Sequence, residues 1–411
     1  MSTTSRVLRG DTFASIARRV YGTDAEASLI RRANPGVFAP LVVGAQLVTP
    51  PALGAPKDRP QEVPAKAENE VALLVDGERF RFWDSVRITR SIDAMDTAEF
   101  GGPFDSTAPG MRDTFRPFSY KTLDIKVGGE QLFAGTMVAV DPVIANDSIT
   151  IAASGYSLPG VLNDCTPPAA SFPLEFNDQT LQGIAESIAG DFGLAVEFPD
   201  GPGPTFERVA CEPGKKALAF LIELAQQRNL IVTNTAAGAL VFFRPAPVGI
   251  PVAKLRQGAS PVLSVTPMFS PQQYHSHITG IEPVVVGTEG SQFTVKNPRL
   301  QGVVRPITFT AQDVEGGDVA AAVEAKASRM FGSMASYSVR VATWRDANGQ
   351  LWAPDTTVTL EAPDAMVYSG YAFIIRAVAF DRDSTTETAT LDLVIPGSFS
   401  GQQPEALPWE V

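Results

Sequence analysis

Residues 51–69 carry Pro51, Pro56, Pro60 and Pro64 among Lys, Asp and Glu, and this break divides the chain into two parts of different hydrophobic period. Such a composition buries little apolar surface and favours extended, semi-rigid backbone, so it reads as a linker. Before it, apolar residues recur at helical spacing: Ile16, Ala17 and Val20 share one face, and Leu29, Ile30 and Ala33 another. Asp11 is placed to cap a helix over Thr12–Val20. Asn34-Pro35-Gly36 stops a second helix running from near Asp24 to Ala33. Strands at Arg6–Arg9 and Gln46–Thr49 would pair, giving the order β-α-α-β within residues 1–50.

After the break the period becomes two. Val71–Val75 and Arg79–Phe82 flank Asp76-Gly77, a strong hairpin signal. Alternation returns at Val86 and Ile88, at Leu123, Ile125 and Val127, along Gln131–Val140, and at Ile149 and Ile151. These strands predict a small antiparallel barrel over residues 70–165. An α+β insert follows at 173–245. Its helices carry Leu181, Ile184, Ala185 and Ile188, then Leu218, Leu221, Ile222 and Ala225, at amphipathic spacing. Leu230–Thr233 and Leu240–Phe243 read as its strands, turned at Ala236-Ala237-Gly238. Beyond a proline-rich stretch at 245–271, strand patterns recur at Ile278–Val286, Ser338–Thr343, Thr356–Leu360, Tyr371–Phe380 and Thr388–Ile395. They predict a second barrel-like domain over 255–400, interrupted by a helix at 318–331, with residues 401–411 as a tail. The expected fold class is mainly β with α+β parts.

The charge is uneven. The net formal charge is -12, yet residues 1–50 set six arginines against Asp11, Asp24 and Glu26, a local +3 that leaves -15 on the remainder. An acidic body argues against binding a phosphate backbone, which needs clustered Lys or Arg. No run approaches the ~20 apolar residues that span a bilayer, so no membrane insertion is expected. The N-terminus lacks the apolar stretch of a signal peptide, and the expectation is folding in the cytoplasm. Cys165 and Cys211 are too few for a disulfide framework.

Two resemblances add to these readings. Val7–Phe13, Asn34-Pro35-Gly36 and Leu41–Pro50 resemble a LysM domain. That resemblance implies binding at the two neighbouring loops holding Gly10, Asp11, Thr12, Asn34 and Pro35, whether to cell-wall glycan or to a protein partner. The body resembles the baseplate hub proteins of Mu-like contractile phages, which share the T4-type hub fold and that of the hub half of type VI secretion spikes. The carrying segments are Val75–Phe80 with Trp83–Ile92, Phe133–Val138, Ile151–Ser157 running on to Val161–Thr166, Phe220–Ala225 and Gly238–Phe242. The resemblance implies a virion structural protein assembled in the host cytoplasm. As a homotrimer it would join a sixfold tail tube protein to a threefold central spike protein, with DNA passing its channel during genome ejection without specific binding. The LysM module would clamp other baseplate or wedge components.

The alternative is a LysM-targeted tail protein that binds or hydrolyses peptidoglycan. A cysteine peptidase needs a thiolate opening a helix and a histidine base. Cys211 precedes the helical pattern at 217–228, and His275 and His277 lie downstream, but Glu212 beside the thiol would raise its pKa. His275 and His277 would project from one face of a strand, yet two ligands make no metal site and the chain has no third histidine. No phosphate-cradling loop and no G-x-S-x-G occurs. The residues therefore predict no enzyme, no cofactor and no metal.

Overall fold

The computed structural model describes residues 3–21, 24, 26–50, 68–145, 148–228, 230–245, 248–281, 292–310, 319–399 and 406–410. They fall into two compact units, Met1–Ala67 and Glu68–Val411. The expected linker lies outside the described residues, apart from its last two positions.

In the first unit the order is strand, helix, helix, strand. Thr3–Arg6 pairs antiparallel with Gln46–Thr49, Thr4 opposite Val48. The first strand begins three residues earlier than expected, because Val7 turns inward: it is 1% exposed, and its backbone pairs with Gly44 and Ala45 as the strand ends. The helix Phe13–Tyr21 is capped by Thr12, not Asp11. Ser15 N–H donates to Thr12 Oγ1 at 3.1 Å and Thr12 N–H donates to Ser15 Oγ at 2.8 Å, a reciprocal cap. Val7, Phe13, Ile16, Ala17, Tyr21, Ile30 and Leu47 form the core between the two helices and the sheet.

In the second unit Asp76 and Gly77 both take left-handed φ, +51° and +78°, the tight turn their sequence predicts between Val71–Val75 and Glu78–Phe80. The strands of the two expected barrels are joined in one thirteen-stranded sheet. From one edge it runs Val262–Phe269, Ala335–Val341, Glu387–Val394, Val367–Asp383, Ser85–Ser91, Thr97–Pro103, Ile149–Ser157, Glu130–Ile144, Thr122–Val127, Val71–Val75, Glu78–Phe80. Off this path, Thr357–Ala362 pairs with Val367–Asp383, and Ala253–Arg256 pairs with Thr357–Ala362. The join is made by the seventeen-residue strand Val367–Asp383. A register shift at Ile375/Ala377 lets its second half pair with Ser85–Ser91 on one side and Glu387–Val394 on the other. One continuous core follows, from Val71 and Phe133 to Trp344, Phe380 and Leu407.

The insert matches its expected pattern. Leu181–Gly190 and Ala217–Gln227 are helices, and Leu181, Ile184, Ile188, Leu218 and Leu221 are buried in a second core. The stretch at 245–271, read as a proline-rich connection, contains the strands Ala253–Arg256 and Val262–Phe269. The expected helix at 318–331 is found at Val319–Gly332. Of the strand expected over Ile278–Val286, His277–Ile281 is described and the rest lies outside the described residues. The C-terminal segment is not free where it is described. Leu407 is buried, Trp409 packs edge-on to Phe269 at 5.6 Å, and Glu410 pairs with Arg299 at 3.1 Å.

Candidate functional site

The two loops of the first unit are built around side chains with local bonding duties. Asp11 accepts from Leu8 N–H at 2.7 Å and from Ser15 Oγ at 3.0 Å, and pairs with Arg19 at 2.8 Å. Arg19, then the Leu8 N–H, holds this carboxyl below its ordinary range. Arg19 also donates to the backbone oxygen of Arg6, which ties the loop to the first strand. Asn34 acts on the other strand: its Oδ1 accepts from Val48 N–H and its amide donates to Val48 O, each at 2.8 Å, and to Ile30 O. Asp11 and Asn34 are thus fastened to two paired strands but share no bond. Gly10, Thr12 and Pro35 stand exposed beside them. Around the turn Val42–Ala45, Val42 is 74% and Val43 60% exposed, and Leu8 and Phe38 add further exposed apolar surface.

Two of the residues weighed for catalysis, Cys211 and His277, have local surroundings that the structure describes. Cys211 is buried, and burial pushes its thiol up, away from the thiolate that a nucleophile requires. His277 Nδ1 lies 3.0 Å from Ser276 Oγ, which itself accepts Arg305 N–H at 2.8 Å. The Ser276 hydroxyl thus links the imidazole to the backbone of Arg305. No group of three or more His, Cys, Asp or Glu poised for a metal occurs among the described residues.

The most closely built polar cluster joins the insert to the long sheet. Asp96, 1% exposed, pairs with Arg90 at 3.1 Å and accepts Ser91 N–H at 3.2 Å. Asn234 from the insert accepts Asp96 N–H and Ser157 Oγ, both at 2.8 Å, and donates to Asp96 Oδ2 at 3.0 Å. Thr233 Oγ1, one residue earlier, lies within bonding distance of the carbonyl oxygens of Ser91 and Ala94, at 2.7 and 2.9 Å. Burial pushes the Asp96 carboxyl up while Arg90 draws it down. This cluster ties the insert to the sheet through side chains of both. The sequence offered no signal for it, because Asp96 and Asn234 are ordinary polar residues 138 positions apart.

The architecture defines a class. It is the fold of phage tail proteins: the chain is similar to the 43 kDa tail protein of Shewanella oneidensis prophage MuSo2, at 24% identity over 80% of this chain and 99% of that one, with a TM-score of 0.70. It is similar to a tail protein of Neisseria meningitidis at 18% identity, 80% and 98% coverage and a TM-score of 0.66. A component of the Escherichia coli type VI secretion system, itself similar to T4 bacteriophage tail proteins gp27 and gp5, matches with a TM-score of 0.51 at 12% identity over 79% of this chain and 76% of that one. Within that class, residues 159–244 match the family model of the second domain of gp44-like baseplate hub proteins. The chain is 24% identical over 310 residues to baseplate hub protein gp44 of Escherichia phage Mu, covering 72% of this chain and 79% of that protein.

Proposed function

We propose that this protein is a structural, non-catalytic baseplate hub in the tail of a contractile phage. The observation that carries the reading is the match of residues 159–244, the insert with its two helices, to the baseplate hub second domain. As a homotrimer, the hub adapts a sixfold tail tube to a threefold central spike, presenting two β regions per chain as six similar surfaces. Support comes from the strands Val262–Phe269, Glu78–Phe80 and Ala253–Arg256, each with one strand partner among the described residues, since edge strands call for covering and cyclic closure covers them identically. Mass measurement of the purified chain, alone and with tube and spike proteins, tests this: three chains around a channel are expected, and a chain that stays monomeric with both partners present refutes it.

The first unit clamps another baseplate component rather than glycan. The +3 charge of residues 1–50, the exposed Val42, Val43 and Phe38, and the internal ties of Asp11 and Asn34 favour a protein surface over sugar. Micromolar retention of the full chain on sacculi or chitin oligomers, lost on changing Thr12 and Pro35, would reverse that assignment. Clearing of a peptidoglycan zymogram, abolished by Cys211→Ala, would overturn the non-catalytic reading.

A further inference from the structure

The long sheet ends in the three-residue strand Glu78–Phe80, and around that edge the chain gathers aromatic rings and arginines. Beneath lies a packed aromatic layer, with Phe80 5.2 Å from Phe115 and 5.8 Å from Phe100. Above it Phe118 is 84% exposed, Phe82 63% and Tyr120 59%. Phe118 and Tyr120 both take left-handed φ, +59° and +48°, a conformation that side-chain-bearing residues adopt only when their surroundings hold them there. Lys121, bonded to Asp76 at 3.2 Å, anchors the end of this loop to the hairpin turn. Arg81, Arg112 and Arg116 are exposed and make no ion pair among the described residues. Exposed rings with guanidinium groups are the composition of contact hot spots between proteins. A chain of net charge -12 is a poor host for nucleic acid, so the complement is a carboxylate-bearing protein surface.

The same unit carries such a surface. A groove of about 440 Å³ on the sheet, among Ser85–Arg87, Glu99–Gly101, Ala152–Ser154 and Asp381–Asp383, is lined by Glu99, Asp141, Asp381 and Asp383 against two arginines. Both arginines are engaged, Arg87 with Asp381 at 3.0 Å and Arg382 with Glu387 at 3.3 Å. Burial, with Glu99 adding to it, pushes the Asp381 carboxyl up despite Arg87 and Arg340. The groove lining carries four carboxylates against two arginines, with Arg340 also acting on Asp381, and the edge carries three exposed arginines beside Glu78 and Asp84.

We propose that the aromatic and arginine edge of one copy seats in the acidic groove of a second copy, so that the same heterologous contact, repeated, closes the ring of hubs. The inference rests on the ring reading above and names the surfaces that make it. Two variants test it in the full chain: an edge variant, Arg116→Ser with Phe118→Ser, and a groove variant, Glu99→Lys with Asp141→Lys. Native mass spectrometry and sedimentation are expected to show a closed multimer for the unmodified chain. Each variant alone should be monomeric, with self-association weakened about tenfold or more, while circular dichroism and melting temperature stay unchanged. An equimolar mixture is the sharper test. One intact edge meets one intact groove, so heterodimers of one copy each should form and no ring. Variants that keep the unmodified mass overturn the edge-to-groove contact and leave the ring reading standing. An unmodified chain that stays monomeric at its highest soluble concentration, even with tube and spike proteins, overturns both. Loss of DNA retention in the edge variant, with its mass unchanged, would make the edge a nucleic-acid surface and overturn the proposal.

Discussion

Asn234 shows what a single amide can hold. Its carbonyl oxygen and amide group between them satisfy Asp96, Ser157 and the carbonyl of Thr235, all around a carboxylate that is 1% exposed. Asn234→Ala should destabilise the second unit by about 2–4 kcal/mol, because removing the amide leaves buried donors and acceptors unpaired rather than returning them to water. Urea unfolding of the full chain checks this; a loss under ~1 kcal/mol would mean that water refills the site. Residue roles were the least legible part of the sequence. Asp11 has the chemistry of a cap, yet the chain turns one residue later and Thr12 takes that position, while Asp11 serves the preceding turn and Arg19. The loop residues Gly10, Asp11, Thr12, Asn34 and Pro35 were legible as two loops, but that Asp11 and Asn34 fasten adjacent strands depends on distances no spacing rule supplies.

Elements were legible wherever their pattern is local. The Asp76-Gly77 hairpin, both insert helices and the helix Val319–Gly332 follow from turn chemistry or 3.6-residue periodicity. Ala253–Arg256 and Val262–Phe269 were not, since the prolines and glycines around them read as a connection and their partners lie 66 to 105 residues onward. The turn after Val367–Asp383 shows local chemistry at work. Asp383 accepts the N–H and hydroxyl of Thr385 and those of Thr386, at 2.7 to 2.9 Å. These donors, Thr385 first, hold its carboxyl well below the usual carboxylate range. A carboxyl whose folded value is depressed contributes stability that is complete above its unfolded value, about 4, and is lost as pH falls through the folded value. Acid titration of thermal stability should therefore fall more steeply below about pH 4 in the unmodified chain than in Asp383→Ala. Equal slopes would show that the turn is held by its backbone alone.

At the scale of the molecule, the continuity of the long sheet matters more than the count of its barrels. Two separate barrels would each have a core and could open independently. Here Ala377–Asp383 pairs residue for residue with Ser85–Ser91, and Ile88, Val378 and Phe380 belong to the same buried core as Trp344 and Leu393. Opening either half exposes the unpaired backbone and apolar face of the other, so the two should unfold together. Hydrogen exchange should give the same opening free energy for amides of Val86–Ser91 and of Glu387–Val394, and heating should give one transition for the second unit. Two transitions, or exchange in the first half far ahead of the second, would contradict this. A rigid, cooperative body suits the adaptor role proposed above. Its charge suits the same position, for -15 spread outside the first 50 residues opposes any lasting hold on a phosphate backbone. The full chain should therefore fail to retard duplex DNA in a gel at physiological salt. Retention there that fades as salt rises would mean that clustered arginines outweigh the acidic body, and that the channel grips the genome it is proposed to pass.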